Sequence, residues 1–455
     1  MIVEKIKSKV VSHLSYFIGS QTEAVVVDPQ RSCQVYLDIA QREGMTIKYI
    51  FETHRNEDYV IGSRELAAFT QSEIYHGPWP DFKYGNVLKD GQEFTVGKLK
   101  VTAIQTPGHT PGCMSYTVVD LDTGEDTILV CTGDTLFVND TGSTDFGGPD
   151  KRRELSEQLY NSIFNKLLPL GDHVILCPAH GSGSVCGGGI AAREWSTLGI
   201  ERRMNPFLQL SQEEFIAHKI HEHHEYAPYF RIMEQYNVEG APFVGSIPKP
   251  KALSPNKFRE KIEEGATILD IRSSIAFGGR HIKSSYSLPI SRLSMVGWLL
   301  PYQAPILLVV NNSYELEYNV QSLIQIGYDN IEGYMTNGLG PWSKAGFTME
   351  STGLMTVSEL RNRLQAGEKW TLLDVRSLDE WKKEHIEHTQ NIYVGLLQNR
   401  LDEVSKALPI TVICKHGNRS SIATSLLLRN GFHEVYNLLG GTDAWKRAGY
   451  ELSRS

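Results

Sequence analysis

The second half of the chain repeats itself at a spacing of 104 residues, and this repeat constrains the fold more than any other feature. Residues 267–273 read TILDIRS and residues 371–377 read TLLDVRS, and the dipeptide HI recurs at 281 and at 385. Self-similarity over so long a period signals a duplicated domain. Each copy alternates short apolar runs with helical stretches, which predicts a parallel sheet with helices on both faces.

The last copy carries a cysteine where a predicted strand runs into a predicted helix. Residues 411–413 form the apolar run, Cys414 follows it, and residues 421–430 are typical of a helix. Backbone N–H groups and the positive end of a helix dipole both stabilise a thiolate at such a position. Arg419 adds positive charge nearby. This pattern predicts an anionic, reactive sulfur at Cys414.

The loop CKHGNRS at 414–420, with LDVR before it and LLGG after it, resembles the rhodanese sulfurtransferases. The resemblance implies that Cys414 carries a sulfane sulfur as a persulfide, and that Gly417 and Arg419 shape its pocket. The 104-residue shift places Val310 at the position of Cys414 and Glu315 at the position of Arg419. We therefore expect the middle copy to be an inactive rhodanese-like domain, kept for packing, docking or domain spacing.

Polar residues in the first half follow four strand-like runs. Histidine, histidine, aspartate and histidine come after the runs at 49–51, 101–104, 127–130 and 174–176, as His54, His109, Asp134 and His180. Side chains on several strand ends can converge on one point. This is a pattern typical of a metal site.

The order and spacing of these residues resemble the metallo-β-lactamase superfamily, whose first motif usually reads His-x-His-x-Asp-His. Here the motif reads His54-x-Asn56-x-Asp58-Tyr59, so two of its positions carry poor metal ligands. The resemblance implies an αββα sandwich of two mixed sheets with helices outside. The two lost imidazoles argue against a site that holds two zinc ions.

The residues that remain, His54, His109 and Asp134, form a 2-His-1-carboxylate set, which leaves open positions on a mononuclear Fe(II). The persulfide dioxygenase branch of the superfamily uses this set, so the resemblance implies one Fe(II), with zinc as the alternative. Four further residues would orient ligands or substrate without binding the metal: Asn56, Asp58, Tyr59 and His180.

Taken whole, the chain resembles bacterial persulfide dioxygenase–sulfurtransferase fusions. The resemblance implies oxidation of a low-molecular-weight persulfide by dioxygen to sulfite, with Cys414 exchanging a sulfane sulfur to form or use thiosulfate. Cys186 aligns with a cysteine near the metal in some of these fusions, where it relays or binds sulfur; a structural role is the alternative. Two other readings stay open: a zinc thioester hydrolase of glyoxalase II type with a rhodanese tail, and a sulfur-binding scaffold with only the terminal domain active.

Length and composition set the remaining expectations. The chain has 455 residues, and a proline-containing linker at 243–255 suggests domains at 1–245, 246–350 and 351–455. The net charge of -8 argues against nucleic acid and anionic membranes as partners. Without a long apolar run or a disulfide framework, we expect a cytoplasmic α/β multidomain homo-oligomer that acts on small molecules.

Overall fold

The computed structural model describes residues 1–8, 11–146, 148–184, 187–222 and 227–454. The chain forms two compact units. The first contains Met1–Ser246 and Ile324–Gly327, and the second contains Ile247–Leu323 and Tyr328–Ser455. No helix in the described ranges is both long enough and apolar enough to cross a membrane.

The first unit is built on two mixed sheets. The first sheet contains, in spatial order, β1 (Ile2–Lys7), β2 (Leu14–Ser20), β3 (Glu23–Val27), β4 (Thr46–Phe51), β5 (Glu73–His76) and β6 (Asn86–Val87). The following strands are β7 (Glu93–Val96), β8 (Leu99–Gln105), β9 (Met114–Asp120), β10 (Thr127–Gly133), β11 (Leu136–Phe137), β12 (Asp140–Thr141), β13 (Ile175–Pro178) and β14 (Ser196–Thr197). The second sheet has the order β14-β13-β10-β9-β8-β7, and β11 and β12 pair with each other.

Helices cover the outer faces of both sheets. The helices of this unit are α1 (Gln34–Glu43), α2 (Ser63–Thr70), α3 (Arg152–Asn161), α4 (Leu198–Met204), α5 (Gln212–His221) and α6 (Phe230–Glu239). Tyr36 and Ile39 of α1 pack on the outer face of the first sheet. Leu159 of α3 and Phe215 of α5 pack against Val130 of β10 on the second sheet.

The inner faces of the two sheets share one apolar core. Tyr16 and Phe51 from the first sheet pack with Val101 and Tyr116 from the second, and all four are buried. Alternation of inward and outward side chains along each strand explains how both faces become covered. The layers therefore run helix, sheet, sheet, helix, and the predicted αββα sandwich is confirmed.

Local predictions differ from the structure at three places. The sequence pattern of residues 154–168 predicts one helix, whereas the structure has α3 followed by a π-helix at Ser162–Leu167. The pattern of residues 211–236 predicts a solvated helical region with four histidines, and the structure has α5 and α6 there. His218 and His221 are exposed, while His223 and His224 lie outside the described residues. The linker is shorter than the predicted range 243–255, because residues 251–252 form a strand and Pro255 begins a helix. Proline is tolerated at this first helical position because the backbone N–H that it lacks would have no partner within the helix.

The second unit contains two parallel sheets of one topology. The strands of the middle copy are β15 (Lys251–Ala252), β16 (Thr267–Asp270), β17 (Tyr286–Ser287), β18 (Ile306–Val309) and β19 (Ile331–Met335). The terminal copy has β20 (Gly353–Met355), β21 (Thr371–Asp374), β22 (Gln390–Asn391), β23 (Ile410–Ile413) and β24 (Val435–Leu438). The spatial orders β15-β19-β18-β16-β17 and β20-β24-β23-β21-β22 are equivalent.

Helices follow most strands of this unit, as parallel connections require. They are α7 (Pro255–Glu263), α8 (Ser274–Gly279), α9 (Val296–Leu299), α10 (Leu316–Gln325), α11 (Gly340–Lys344), α12 (Val357–Gln365), α13 (Leu378–Lys383), α14 (Asn418–Arg429) and α15 (Gly441–Arg447). Leu360 of α12 and Trp445 of α15 pack on Ile413 and Leu438 of the terminal sheet. The predicted duplication of a parallel α/β domain is thus visible in the structure.

Candidate functional site

The polar residues singled out in the first unit lie beyond the carboxyl ends of their strands. His54 follows β4, His109 follows β8, and Asp134 directly follows β10. Gly133, the last residue of β10, has a φ of 53°, and a Cβ on it would lie 2.6 Å from the Thr53 side chain. Only glycine fits this approach without strain. The close contact brings the end of β10 beside the end of β4.

A buried cluster of four potential ligands results. His54, Glu57, His109 and Asp134 each place one nitrogen or oxygen so that all four atoms lie within 4.8 Å of one another. Asp134 Oδ2 is 3.8 Å from His54 Nε2 and 3.6 Å from His109 Nε2. Glu57 Oε1 is 3.0 Å from His109 Nε2. The structure therefore brings together the three side chains proposed as ligands and adds Glu57, which the sequence reasoning missed.

Hydrogen bonds behind the imidazoles direct their Nε2 atoms into the cluster. Thr53 Oγ1 donates to Asp28 Oδ2 at 2.7 Å, so it accepts from His54 Nδ1 at 2.9 Å. His109 Nδ1 donates to the carbonyl oxygen of Ser143 at 2.9 Å. Such partners fix the tautomer of a metal-binding histidine. Within the described part of the chain His54 Nε2 has no hydrogen-bond partner although it is buried, as a ligand atom directed at a cation would be.

The charges of the cluster suit a cation. Burial, opposed in part by Asp134, lowers the pKa of His54 to about 3, so its imidazole is neutral and able to ligate. Burial would raise the pKa of Asp134, but the neighbouring histidines His180 and His54 keep it well below its ordinary value, and the group stays ionised. Burial also raises the pKa of Glu57. The cluster concentrates carboxylates away from water, an arrangement that a bound cation stabilises.

His180 is held by two carboxylates. Its Nδ1 lies 2.7 Å from Asp134 Oδ1, and its Nε2 lies 3.2 Å from Asp58 Oδ2. Burial opposes protonation, but these two carboxylates raise the pKa of His180 well above its ordinary value. Nδ1 is therefore hydrogen-bonded to Asp134, whereas Nε2 and both Asp58 oxygens form no hydrogen bond within the described residues and are in ion-pair contact only. His180 and Asp58 lie beside the four-residue cluster and orient Asp134.

Two other residues of the first motif are not among the four potential ligands of the cluster. Asn56 Nδ2 donates to the carbonyl oxygen of His54 at 3.3 Å. The ring of Tyr59 is buried and stacks on the ring of His13, with centroids 3.9 Å apart. These side chains occupy the positions where the usual motif carries imidazoles. Cys186, the sulfur relay suggested by resemblance, lies outside the described residues.

The loop after β23 surrounds the sulfur of Cys414 with polar groups. The backbone N–H of Gly417 donates to Cys414 Sγ at 3.1 Å, and Ser420 Oγ lies 3.3 Å from the same sulfur. Asn437 holds the loop by donating to Gly417 O at 3.0 Å and accepting from Ser420 Oγ at 2.6 Å. Gly417 has a φ of 100°, which favours glycine at this turn into α14. Because Ser420 donates its proton to Asn437, the Gly417 N–H is the hydrogen-bond donor that this loop offers to negative charge on the sulfur.

Arg419 is tied to a carboxylate that the sequence reasoning missed. Its two terminal nitrogens donate to Glu380 at 2.5 and 2.7 Å, which is a bidentate pair. Burial would raise the pKa of Glu380, but Arg419 outweighs it and brings that pKa to about 2. The sequence does contain a signal for this residue, because Ser377 and Glu380 have the spacing of a capping box and form one.

Comparisons with known proteins match both parts of the chain to known families. Residues 9–180 match the family model of the metallo-beta-lactamase superfamily, and residues 356–448 match that of the rhodanese-like domain. The chain is 30% identical over 214 residues to the mitochondrial persulfide dioxygenase ETHE1 of Bos taurus, covering 44% of this chain and 74% of that protein. The Homo sapiens protein of the same name is 30% identical over 216 residues, with the same coverage.

A solved structure extends the likeness. A metallo-beta-lactamase from Staphylococcus aureus subsp. aureus COL has a TM-score of 0.66 and 27% sequence identity, covering 74% of this chain and 98% of that chain. The predicted fusion architecture is therefore confirmed. The chain belongs to the metallo-β-lactamase superfamily, as a homologue of the ETHE1 persulfide dioxygenases fused to a rhodanese-like domain.

Proposed function

We propose that the first unit oxidises a low-molecular-weight persulfide to sulfite with one Fe(II), and that Cys414 transfers sulfane sulfur to form or use thiosulfate. The main support for the iron site is the buried cluster, in which His54 and His109 both direct Nε2 toward Asp134. Two imidazoles and a carboxylate on one side of a cation are the donor set of mononuclear iron oxygenases. Homology to the persulfide dioxygenase ETHE1 supports a persulfide as the substrate class.

The surroundings of the cluster favour one metal over two. A second metal would need donors from Asp58, Tyr59 and His180. His180 Nδ1 is hydrogen-bonded to Asp134, and the Tyr59 ring is stacked on His13. These contacts support a mononuclear site. They weigh against the zinc thioester hydrolase of glyoxalase II type, for which two well-ligated metals are expected.

The residues divide the work of the proposed reaction. His54, His109 and Asp134 would hold Fe(II), which when bound supplies open positions for the persulfide and dioxygen and the electrons that activate dioxygen. The balanced reaction is RSSH + O₂ + H₂O → RSH + SO₃²⁻ + 2 H⁺. Glu57 could add a fourth donor, because its Oε1 belongs to the same buried cluster and lies 3.0 Å from His109 Nε2. Thr53 and Asp28 would keep His54 in its ligating tautomer.

The sulfur-transfer step would take place at Cys414. Its thiolate attacks the outer sulfur of thiosulfate, an S–S bond forms on Cys414, and the S–SO₃ bond breaks so that sulfite leaves with the electron pair. The Gly417 N–H contact to Sγ supports this role, because it stabilises negative charge on the sulfur before and after the attack. The reverse reaction would turn sulfite into thiosulfate.

Metal content and oxygen uptake test the proposed iron site. In anaerobically purified full-length protein we expect about one iron per chain and oxygen uptake with glutathione persulfide. His109→Ala removes a ligand, so it should lose most of the iron and reduce oxygen uptake by about 100-fold or more, while thiosulfate sulfurtransferase activity persists. The matched control is His173→Ala, which changes an exposed histidine of the same unit.

Two results would contradict the proposed oxidation. One is a protein with two zinc ions that hydrolyses thioesters and takes up no oxygen. The other is a His109→Ala protein that keeps both its iron and its oxygen uptake. Retained iron without oxygen uptake in the wild-type protein would instead support a sulfur-binding scaffold.

A further inference from the structure

The middle copy, residues 247–350, lacks a cysteine at the active position but touches the sulfur loop of the terminal copy. Asn418, which begins α14, donates to Ser291 Oγ at 3.2 Å and accepts from Ser274 Oγ at 3.3 Å. One turn further along α14, Ser421 Oγ lies 2.6 Å from Ser287 Oγ, and both residues are buried. The start of α14 is therefore bonded to the middle copy at three serines.

These contacts hold one short segment of the middle copy beside the loop. The segment Ile290–Met295 is a 3-10 run that is interrupted at Arg292, where φ is -132° and ψ is 22°. Beyond Arg292, the Met295 sulfur lies 4.0 Å from the hydroxyl of Tyr393, and the Trp298 ring meets the Tyr393 ring at 5.7 Å. Arg292 is thus bracketed by contacts to the terminal copy on both sides.

The guanidinium of Arg292 interacts with the charged groups of the Cys414 site. Burial and the charge of Arg419 lower the pKa of Arg292, while Cys414 and Glu380 act in the opposite direction. Part of the residue is nevertheless exposed to solvent, and no described residue forms a hydrogen bond or ion pair with its side chain. An arginine with free donors beside a sulfur nucleophile is suited to hold an anion.

The charges around the Cys414 sulfur show what such a residue adds, because Lys415 is exposed and the other two cationic side chains of the loop are paired. Thiosulfate and sulfite carry two negative charges, and the Cys414 sulfur is itself negative during transfer. Arg419 is neutralised by its bidentate pair with Glu380, and His416 is paired with Asp443 at 2.9 Å. Bringing anions together at close range is unfavourable without a compensating cation. Arg292 supplies a positive charge that no described carboxylate pairs with.

The fold itself does not require an arginine at this position. The 104-residue shift places Leu396 in the terminal copy where the middle copy has Arg292. Neighbouring apolar residues of the same segment, Leu293 and Met295, are buried and account for its packing. The side chain of Arg292 therefore points to a task beyond holding the segment in place.

We propose that Arg292 binds the anionic end of the sulfur substrate at Cys414, so that the copy without a cysteine supplies half of one composite site. This inference rests on the proposed sulfur transfer at Cys414. In that step Arg292 holds the sulfonate oxygens of thiosulfate while the Cys414 thiolate attacks the outer sulfur, and it releases them with the departing sulfite. The middle copy is then a substrate-binding module.

Steady-state transfer of sulfur from thiosulfate to cyanide tests this role in the full-length protein. Arg292→Gln removes a charge-assisted contact, so KM for thiosulfate should rise about tenfold while kcat changes less than about twofold. Arg292→Lys keeps the charge and should recover most of the loss. The control is Arg259→Gln, an exposed arginine on α7 of the same copy, which should match the wild-type protein.

Alkylation of Cys414 separates a charge effect from a general disturbance of the fold. Arg292→Gln should slow labelling by the anion iodoacetate severalfold but leave labelling by neutral iodoacetamide unchanged, as measured on the Cys414 peptide by mass spectrometry. If the wild-type protein is active, Cys414→Ser is inactive, and Arg292→Gln alters neither KM nor the labelling ratio, the composite site is wrong. If the wild-type protein and Cys414→Ser are equally inactive, the proposed sulfur transfer itself is wrong.

Discussion

The middle and terminal copies of the second unit have kept one framework and diverged at one loop. In both, an aspartate at the end of a central strand binds the arginine two residues later: Asp270 with Arg272 at 2.5 Å, and Asp374 with Arg376 at 2.6 Å. In both, that arginine also donates at 2.8 Å to a carbonyl eight residues further on. The aspartate–arginine motif is therefore part of the fold and does not by itself indicate catalysis.

The difference lies in the loop that follows the next strand. At the position of Cys414 the middle copy has Val310, which is buried, and at the position of Arg419 it has Glu315. Glycine at 417 becomes Ser313, which removes the residue that favours a positive φ at the turn. The comparison teaches that the sheet and its buried ion pair are the same in both copies, whereas the loop residues proposed for sulfur transfer are present only in the terminal copy.

Removing the nucleophile should give the largest effect. Cys414→Ser should reduce thiosulfate sulfurtransferase activity by about 1000-fold or more, because serine has no thiol that could hold a sulfane sulfur as a persulfide. Oxygen uptake by the first unit should persist. Moving the thiol to the middle copy, by combining Val310→Cys with Cys414→Ser, should restore no transfer, since Glu315 stands where Arg419 is needed. Restored activity would show that the middle loop is still competent.

Breaking the shared ion pair should have an intermediate effect of similar size in both copies. Asp270→Asn and Asp374→Asn each leave a buried arginine without its carboxylate, which costs about 3 kcal/mol of local stability. Hydrogen exchange of β16 and β21 in the full-length protein measures this loss copy by copy. A tolerated Asp270→Asn beside a damaging Asp374→Asn would show that the two ion pairs do not have the same role in the fold.

Loss of the Glu380–Arg419 pair should have the smallest effect on stability, with a defined pH dependence. Because folding lowers the pKa of Glu380 to about 2, the pair contributes stability that is complete above the unfolded pKa near 4.5 and is lost as pH falls toward 2. Glu380 is 35% exposed, so solvent screening keeps the contribution below about 1 kcal/mol.

The measurement compares wild-type protein with Glu380→Gln in urea, followed by pulse-labelled hydrogen exchange of α13. We expect the two proteins to differ in free energy of unfolding at pH 6, and this difference should become smaller between pH 4.5 and pH 2. Gln321→Ala, on α10 of the middle copy, is an exposed control in the same unit. An equal difference at every pH would show that the carboxylate acts through packing and not through its charge.

The sequence predicted most of the fold because its signals were periodic. The β2–β3 hairpin, the β7–β8 hairpin and α1 follow alternating or helical apolar patterns, and the 104-residue repeat predicted two equivalent sheets. The π-helix after α3 was not predictable in this way, because it shares the composition and nearly the periodicity of an α-helix.

The candidate sites were predictable only where a residue follows a strand directly or through a known motif. His54, His109 and Asp134 meet that condition. Glu57 and Glu380 do not, because the direction of a loop side chain and the partner of a helix residue depend on contacts that are distant in sequence. Glu57 reaches a histidine 52 positions away, and Glu380 reaches an arginine 39 positions away.

At Gly441 the backbone packs directly against the backbone of the loop that contains Cys414. A Cβ on this residue would lie 1.9 Å from the carbonyl oxygen of Cys414, so the two backbones meet with no side chain between them. A shape set by peptide groups does not change when a sulfur atom is added to or taken from the cysteine. The sulfur donor and the sulfur acceptor of a ping-pong cycle would therefore bind at a loop of the same shape. Neither half-reaction would then require a conformational change of the protein.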